Sequence, residues 1–271
     1  MLHTGFNGLA IWLRNKRAGS RQRPLILTQR DDKGKAKLYM IERPEKAMVV
    51  IPHPDDAEGG CGGTIGKWIK EGTEVVFVLC TNGDKGTSDP DMTSERLAAI
   101  REVEQANAAE TLGVKEVIYL RYPDGALEDT AEFRGQVVHA VRKHKPDVVF
   151  CTDPHRQTFY LHRDHRMSGQ VTLDAVFPYA RDILHYAEHR AEGLEPHKVG
   201  DLMMWGTEAP DEFIDITDSI DLKIEALKKH VSQVSGGDRD VADFVKARAQ
   251  TIGQRAEVPY AEGFRRIQFR R

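Results

Sequence analysis

The sequence predicts an α/β fold, a Rossmann-like three-layer arrangement with a mostly parallel central sheet, on three observations. Apolar runs rich in valine and isoleucine recur at 47–51, 74–80, 116–120 and 147–152. Between them lie stretches of helical character about 10–20 residues long, the alternation that builds βαβ units. Clusters of ionisable residues follow directly after the first and the fourth run. An open parallel sheet places its active site there, outside the carboxyl ends of the strands.

Each element has its own signal. The run Ala47-Met48-Val49-Val50-Ile51 leads through Pro52-His53-Pro54-Asp55-Asp56 into a glycine-rich helix start with Gly59, Gly60, Gly62 and Gly63. A second helix begins at the capping Thr93 or Ser94 and stops at Gly113, a favourable residue beyond a helix end. Its Leu97, Ile100, Val103, Ala106 and Leu112 are expected to face the core. The helix over 131–144 carries Phe133, Val137, Val138 and Val141 and ends before Pro146. Strands are read at 203–206 and 212–216, then a helix capped by Thr217-Asp218 through about 231, and a last helix over 238–253. Residues 1–45 are basic and lack a sustained period until Pro24-Leu25-Ile26-Leu27; a short edge strand is read at 37–41. They form an N-terminal extension to a domain spanning 46–271.

Composition narrows the function classes. With 271 residues, 40% hydrophobic and 30% charged, the chain can build one large core. A net charge of -3 gives no reason to expect nucleic-acid or anionic-membrane binding. No apolar run reaches the roughly 20 residues that span a bilayer. Leu9–Leu13 is short and followed, not preceded, by basic residues, unlike a secretory signal, so a cytoplasmic protein is expected. Cys61, Cys80 and Cys151 have no metal or redox spacing and read as buried reduced thiols.

The chemistry concentrates in two clusters. Asp55 and Asp56 are adjacent at a strand end, and two such carboxylates repel and lose hydration unless a cation or a shared proton compensates. The second cluster, Tyr160-Leu161-His162-Arg163-Asp164-His165-Arg166, opens a helix, so His162 and His165, three apart, can share one side. Together these supply more than the three His and Asp ligands of a catalytic zinc site. The glycines match neither phosphate-binding fingerprint, and no G-x-S-x-G elbow is present.

Pro52-His53-Pro54-Asp55-Asp56-Ala57-Glu58, Gly62-Gly63-Thr64, Thr81-Asn82-Gly83-Asp84 and His162-Arg163-Asp164-His165 resemble the LmbE-like, or PIG-L, family of zinc-dependent de-N-acetylases. Arg96 with Arg101 and Glu104, and Tyr260–Arg265, support the likeness, which runs from about 46 to 269. The resemblance implies that His53, Asp56 and His165 hold Zn2+, with Fe2+ as the alternative ion. It implies Asp55 as general base, His162 as the group meeting the oxyanion or protonating the amine, and Asp164 as the residue orienting the histidine pair. By position, Arg96, Arg101 and Asp124 are candidates for gripping sugar hydroxyls and Tyr160 for bonding the carbonyl. The implied reaction is hydrolysis of an acetamide on an N-acetylglucosamine-type sugar, by a protein that assembles as a homo-oligomer. An amidase acting on a thiol conjugate and a non-catalytic sugar- or metal-binding module are the alternatives. Two departures stand out: Arg163 replaces the family's proline, and Gly60 replaces a larger residue and is expected to widen the pocket.

Overall fold

The structure, a computed structural model, describes residues 43–234 and 240–269. The strand read at 37–41 and nearly all of the extension lie outside these residues. The elements run β1 (Lys46–Ile51), α1 (Asp56–Lys70), β2 (Glu74–Thr81), α2 (Ser94–Leu112), β3 (Glu116–Tyr122), α3 (Ala131–His144), β4 (Val148–Thr152) and α4 (Arg163–Asp174). They continue as β5 (Asp201–Trp205), β6 (Glu212–Asp215), α5 (Ile220–Leu227), α6 (Val231–Val234), α7 (Val241–Ala256) and β7 (Ala261–Gln268). The sheet order is β3-β2-β1-β4-β5-β7-β6. The first five strands in that order pair in parallel, and β7 pairs antiparallel with β5 and β6.

The topology positions the site. The chain winds outward from β1 to β2 and β3, then returns to lay β4 and β5 on the other side of β1. The strand order therefore reverses between β1 and β4, and a crevice opens at their carboxyl ends. Both strands are buried along their apolar residues, Met48 to Ile51 and Val149 to Cys151 being fully covered. The α/β class, the parallel character and the six strands read from residue 46 onward all appear in the structure.

Several local readings change. β7 was not anticipated because Ala261-Glu262-Gly263-Phe264-Arg265-Arg266 carries three charges; Arg266 is neutralised by Asp201 at 2.7 Å and Glu212 at 3.2 Å. Helix α2 buries Leu97, Arg101, Glu104, Gln105, Ala108 and Leu112, whereas Val103 is 61% exposed. Of the apolar stripe read from sequence, Leu97 and Leu112 are buried, Ile100 is half-buried, and Val103 and Ala106 face outward. Ser219, not Thr217 or Asp218, precedes α5, and its hydroxyl donates to Gly63 O at 2.7 Å. Gly60 and Gly63 of α1 are contact points: a Cβ at Gly60 would stand 2.4 Å from the Trp205 ring, and one at Gly63 2.7 Å from Ile216. Gly60 therefore widens no pocket; the indole fills the space. All three cysteines are buried and free. No helix among the described residues is long and apolar enough to cross a membrane.

Candidate metal and catalytic site

The first half of the site is the turn between β1 and α1. Asp56 opens the helix, and its Oδ2 accepts the His53 main-chain N–H at 3.1 Å and lies 3.1 Å from His53 Nδ1. Asp55 stands at the helix cap with φ 94 and ψ -24, the left-handed region that non-glycine residues enter at a cost of about 1–3 kcal/mol. The surroundings hold it there. Arg101 of α2 donates to Pro54 O at 2.7 Å and Gly83 O at 3.0 Å and lies 3.3 Å from Asp55 Oδ2.

The second half comes from β4 and α4. Gly169 lets α4 close on the strand, since a Cβ there would meet Thr152 O at 2.4 Å. The Thr152 hydroxyl in turn donates to His165 O. His162 caps α4: its Nδ1 accepts the Asp164 N–H at 3.2 Å. In a neutral ring the remaining proton then sits on Nε2, which is left as a donor. Burial first, and then the neighbouring charge of His53, lower the His162 pKa and favour that neutral ring.

The donors suit a metal ion. Ligand atoms of His53, Asp56 and His165 all lie within 4.8 Å of one another. Asp56 Oδ2 is shared between them, 3.1 Å from His53 Nδ1 and 3.1 Å from His165 Nε2. His165 is 3% exposed; its Nε2 faces the Asp56 carboxylate, and its Nδ1 has no hydrogen-bond partner among the described residues. On its other side His53 Nε2 faces Asp164 Oδ2 and Asp124 Oδ1, each at 3.1 Å. Burial opposes a charge on this ring, yet Asp124, Asp164 and Asp56 drive its pKa up to about 12. One neutral imidazole cannot donate to carboxylates on both sides; a cation held by Nδ1, Asp56 and His165 would leave the His53 N–H on Nε2, facing Asp124 and Asp164. A second triplet, His53, His162 and Asp164, is equally compact. It fits less well, because the Asp164 carboxylate already accepts Gly125 N–H at 2.6 Å and Leu127 N–H at 3.1 Å.

The two adjacent aspartates are driven apart electrostatically. Burial acts to raise Asp56, but His165 and His53 override it and hold this carboxyl far below the usual range. Burial, and then the negative charge of Asp56, push Asp55 up to about 7. One group is a permanent anion in contact with two imidazoles; the other can take up a proton.

Residues 48–176 match the PIG-L family, described as GlcNAc-PI de-N-acetylase. The diacetylchitobiose deacetylase of Thermococcus kodakarensis is 34% identical over 225 residues, 82% of this chain and 82% of that protein. The chain belongs to the PIG-L family. The solved N,N'-diacetylchitobiose deacetylase from Pyrococcus horikoshii is 33% identical with a TM-score of 0.77, over 83% of this chain and 84% of that one. A mycothiol S-conjugate amidase of Streptomyces coelicolor is 30% identical over 176 residues, 57% of this chain and 59% of that protein.

In this PIG-L chain the structure brings His53, Asp55, Asp56, Asp124, Tyr160, His162, Asp164 and His165 to the carboxyl ends of β1 and β4, each with its own contacts. The Asp164 carboxylate meets His53 and two loop amides; only its main-chain N–H meets His162. Arg101 is 3% exposed and bonded to the Pro54 and Gly83 carbonyls. Asp124 turns to His53. Tyr160 is 56% exposed, its ring 4.9 Å from that of His165. Arg96 is exposed in the first turn of α2, and its side chain bonds to no residue of the cluster among the described contacts. Arg163 is tied to Leu127 O at 3.1 Å and lies 3.5 Å from Glu128. Gln105 and His230 escaped the sequence reading, and Glu58 entered it only as the end of the first motif, with no role. Gln105 Oε1 accepts the Asp55 N–H at 3.4 Å, its Nε2 donates to Glu58 Oε1 at 2.9 Å, and Glu58 Oε2 lies 3.3 Å from His230 Nε2. Glu58 follows Asp56 by two positions, the one local signal that could have drawn attention to it.

Proposed function

We propose that the domain spanning 46–271 is a zinc-dependent hydrolase that removes the acetyl group from an N-acetylglucosamine-type sugar, releasing acetate and a free amine. The observation that carries this reading is the division within one turn: Asp56 shared between two imidazoles, and Asp55 beside it with a raised pKa and Arg101 at 3.3 Å. His53 Nδ1, Asp56 Oδ2 and His165 Nε2 would hold the ion, Fe2+ being the alternative. Such an ion acidifies a water molecule and polarises an acetamide carbonyl.

The remaining work falls to the chain. Asp55 accepts the proton of the attacking water and returns it to the departing nitrogen, a task for a carboxyl whose pKa is about 7. His162 Nε2–H donates to the oxygen on which negative charge develops. Asp164 and Asp124 keep the proton of His53 on Nε2. Arg101 holds Asp55 in its left-handed conformation. Tyr160, exposed beside His165, and Arg96 are the groups left to meet the sugar.

Metal analysis of the purified protein, with acetate and free-amine assays over a panel of N-acetylated sugars, tests the reading. One zinc per chain and acetate release are expected. No turnover of any sugar with zinc or iron bound overturns it. Release of a different acyl group would favour the amidase reading, to which the S. coelicolor relative lends weight.

A further inference from the structure

The buried face of α2 is polar where a core helix is ordinarily apolar. Arg101, Glu104 and Gln105 are each no more than 7% exposed. Gln105 reaches the catalytic turn: its Oε1 accepts the Asp55 N–H, and its Nε2 donates to Glu58 Oε1. A carboxylate can only accept, so Glu58 dictates which end of the Gln105 amide points at Asp55.

Glu58 itself is completely buried, and a buried carboxylate is costly without a cation. His230, also completely buried, faces this carboxylate: Nε2 stands 3.3 Å from Glu58 Oε2. Burial works against the imidazolium, but Glu58 and then Asp55 raise the His230 pKa above its ordinary value.

The residues after His230 are anchored to the same neighbourhood. Ser232 donates its main-chain N–H and its hydroxyl to the two oxygens of Glu104, at 2.7 and 2.6 Å. Gln233 Nε2 donates to Gly86 O at 3.0 Å, in the loop that Arg101 grips at Gly83. His230, Ser232 and Gln233 thus hold the polar face of α2 and the loop beside it. Asp55 needs such support, because a left-handed aspartate persists only where its surroundings over-determine it.

We propose that His230 is a positioning residue for Asp55, acting through Glu58 and Gln105 on the main chain of the catalytic turn. The inference rests on the deacetylase reading above. It touches neither substrate nor metal, so its removal slows turnover without weakening binding of either.

The test uses the full-length zinc-loaded protein. In His230→Leu, kcat falls about 10- to 100-fold, the scale of a misplaced catalytic group. KM and zinc affinity stay within about twofold, since neither contact set is altered. His230→Gln, which keeps an N–H for Glu58, recovers much of the loss. Gln105→Met reproduces it, and the double variant Gln105→Met/His230→Leu is no slower than the slower single one, because both act along one path. An unchanged kcat in His230→Leu, or losses that multiply in the double variant, overturns the proposal. Should His230→Leu fail to fold, Gln105→Met alone decides, and wild-type kcat there overturns it. A wild-type protein that turns over no amide sinks the functional reading and this inference with it, whereas wild-type turnover with indifferent variants sinks this inference alone.

Discussion

Replacing Arg101 by methionine separates two roles that an arginine beside an active site can play. The guanidinium donates to Pro54 O at 2.7 Å and Gly83 O at 3.0 Å and lies 3.3 Å from Asp55 Oδ2. The loop is shaped around it: Gly83 has φ +65, and a Cβ there would sit 2.5 Å from Arg101 Nη1. Both carbonyls are buried. Each charge-assisted bond contributes about 1.5–3 kcal/mol, and each orphaned carbonyl costs about 1–3 kcal/mol. Because these two figures describe overlapping losses, a net destabilisation of about 3–4 kcal/mol is expected. Asp55 loses its cationic neighbour, and a displacement near 1 Å lowers kcat on the order of 100-fold. The arginine is buried, so KM stays within about threefold. Urea denaturation and steady-state acetate release on metal-replete protein measure both quantities. A tenfold higher KM at unchanged kcat would mean that Arg101 grips the substrate. A stability loss below about 1 kcal/mol would mean that it does not anchor the turn.

Three other outcomes are expected. His165→Ala loses the metal on dialysis, whereas Asp55→Asn retains it but turns over at least about 100-fold more slowly; equal metal loss in both would refute the division of roles. Gly60→Ala forces a methyl to within 2.4 Å of the Trp205 ring and lowers stability by about 1–3 kcal/mol, read as a shift in the thermal midpoint. Arg142→Met orphans the carbonyls of Tyr179, Asp182 and His185 and removes one of two donors to those of Ala180 and Tyr186, which also accept the His197 and His189 N–H groups. A loss of about 3–5 kcal/mol in urea unfolding is expected there, with metal content unchanged.

The sequence by itself determined the alternation of strands and helices and, from it, where the chemistry gathers. Parallel βαβ units send the carboxyl ends of their strands to one edge, so clusters after the first and fourth apolar runs had to meet. The i, i+3 spacing of His162 and His165 worked the same way, because a single helical turn brings their rings to 5.5 Å. These are local rules, legible from a few consecutive residues.

Only the tertiary structure decided which polar residues face inward and what each one touches. On α2 the apolar pattern pointed Ile100 and Val103 at the core, and the fold instead buried Arg101, Glu104 and Gln105. Hydrophobicity could not reveal that choice. Each of the three is satisfied by partners distant in the chain: Pro54 and Asp55 for Arg101, Glu58 for Gln105, and Ser232 for Glu104. The same holds for Asp164, whose carboxylate finds His53 across 111 positions, and for Glu262 of β7, which accepts from Gly63 and Thr64 of α1 at 3.0 and 2.8 Å. A buried polar group is stable only with its partner beside it. Partners so far apart along the chain meet only when the sheet has assembled.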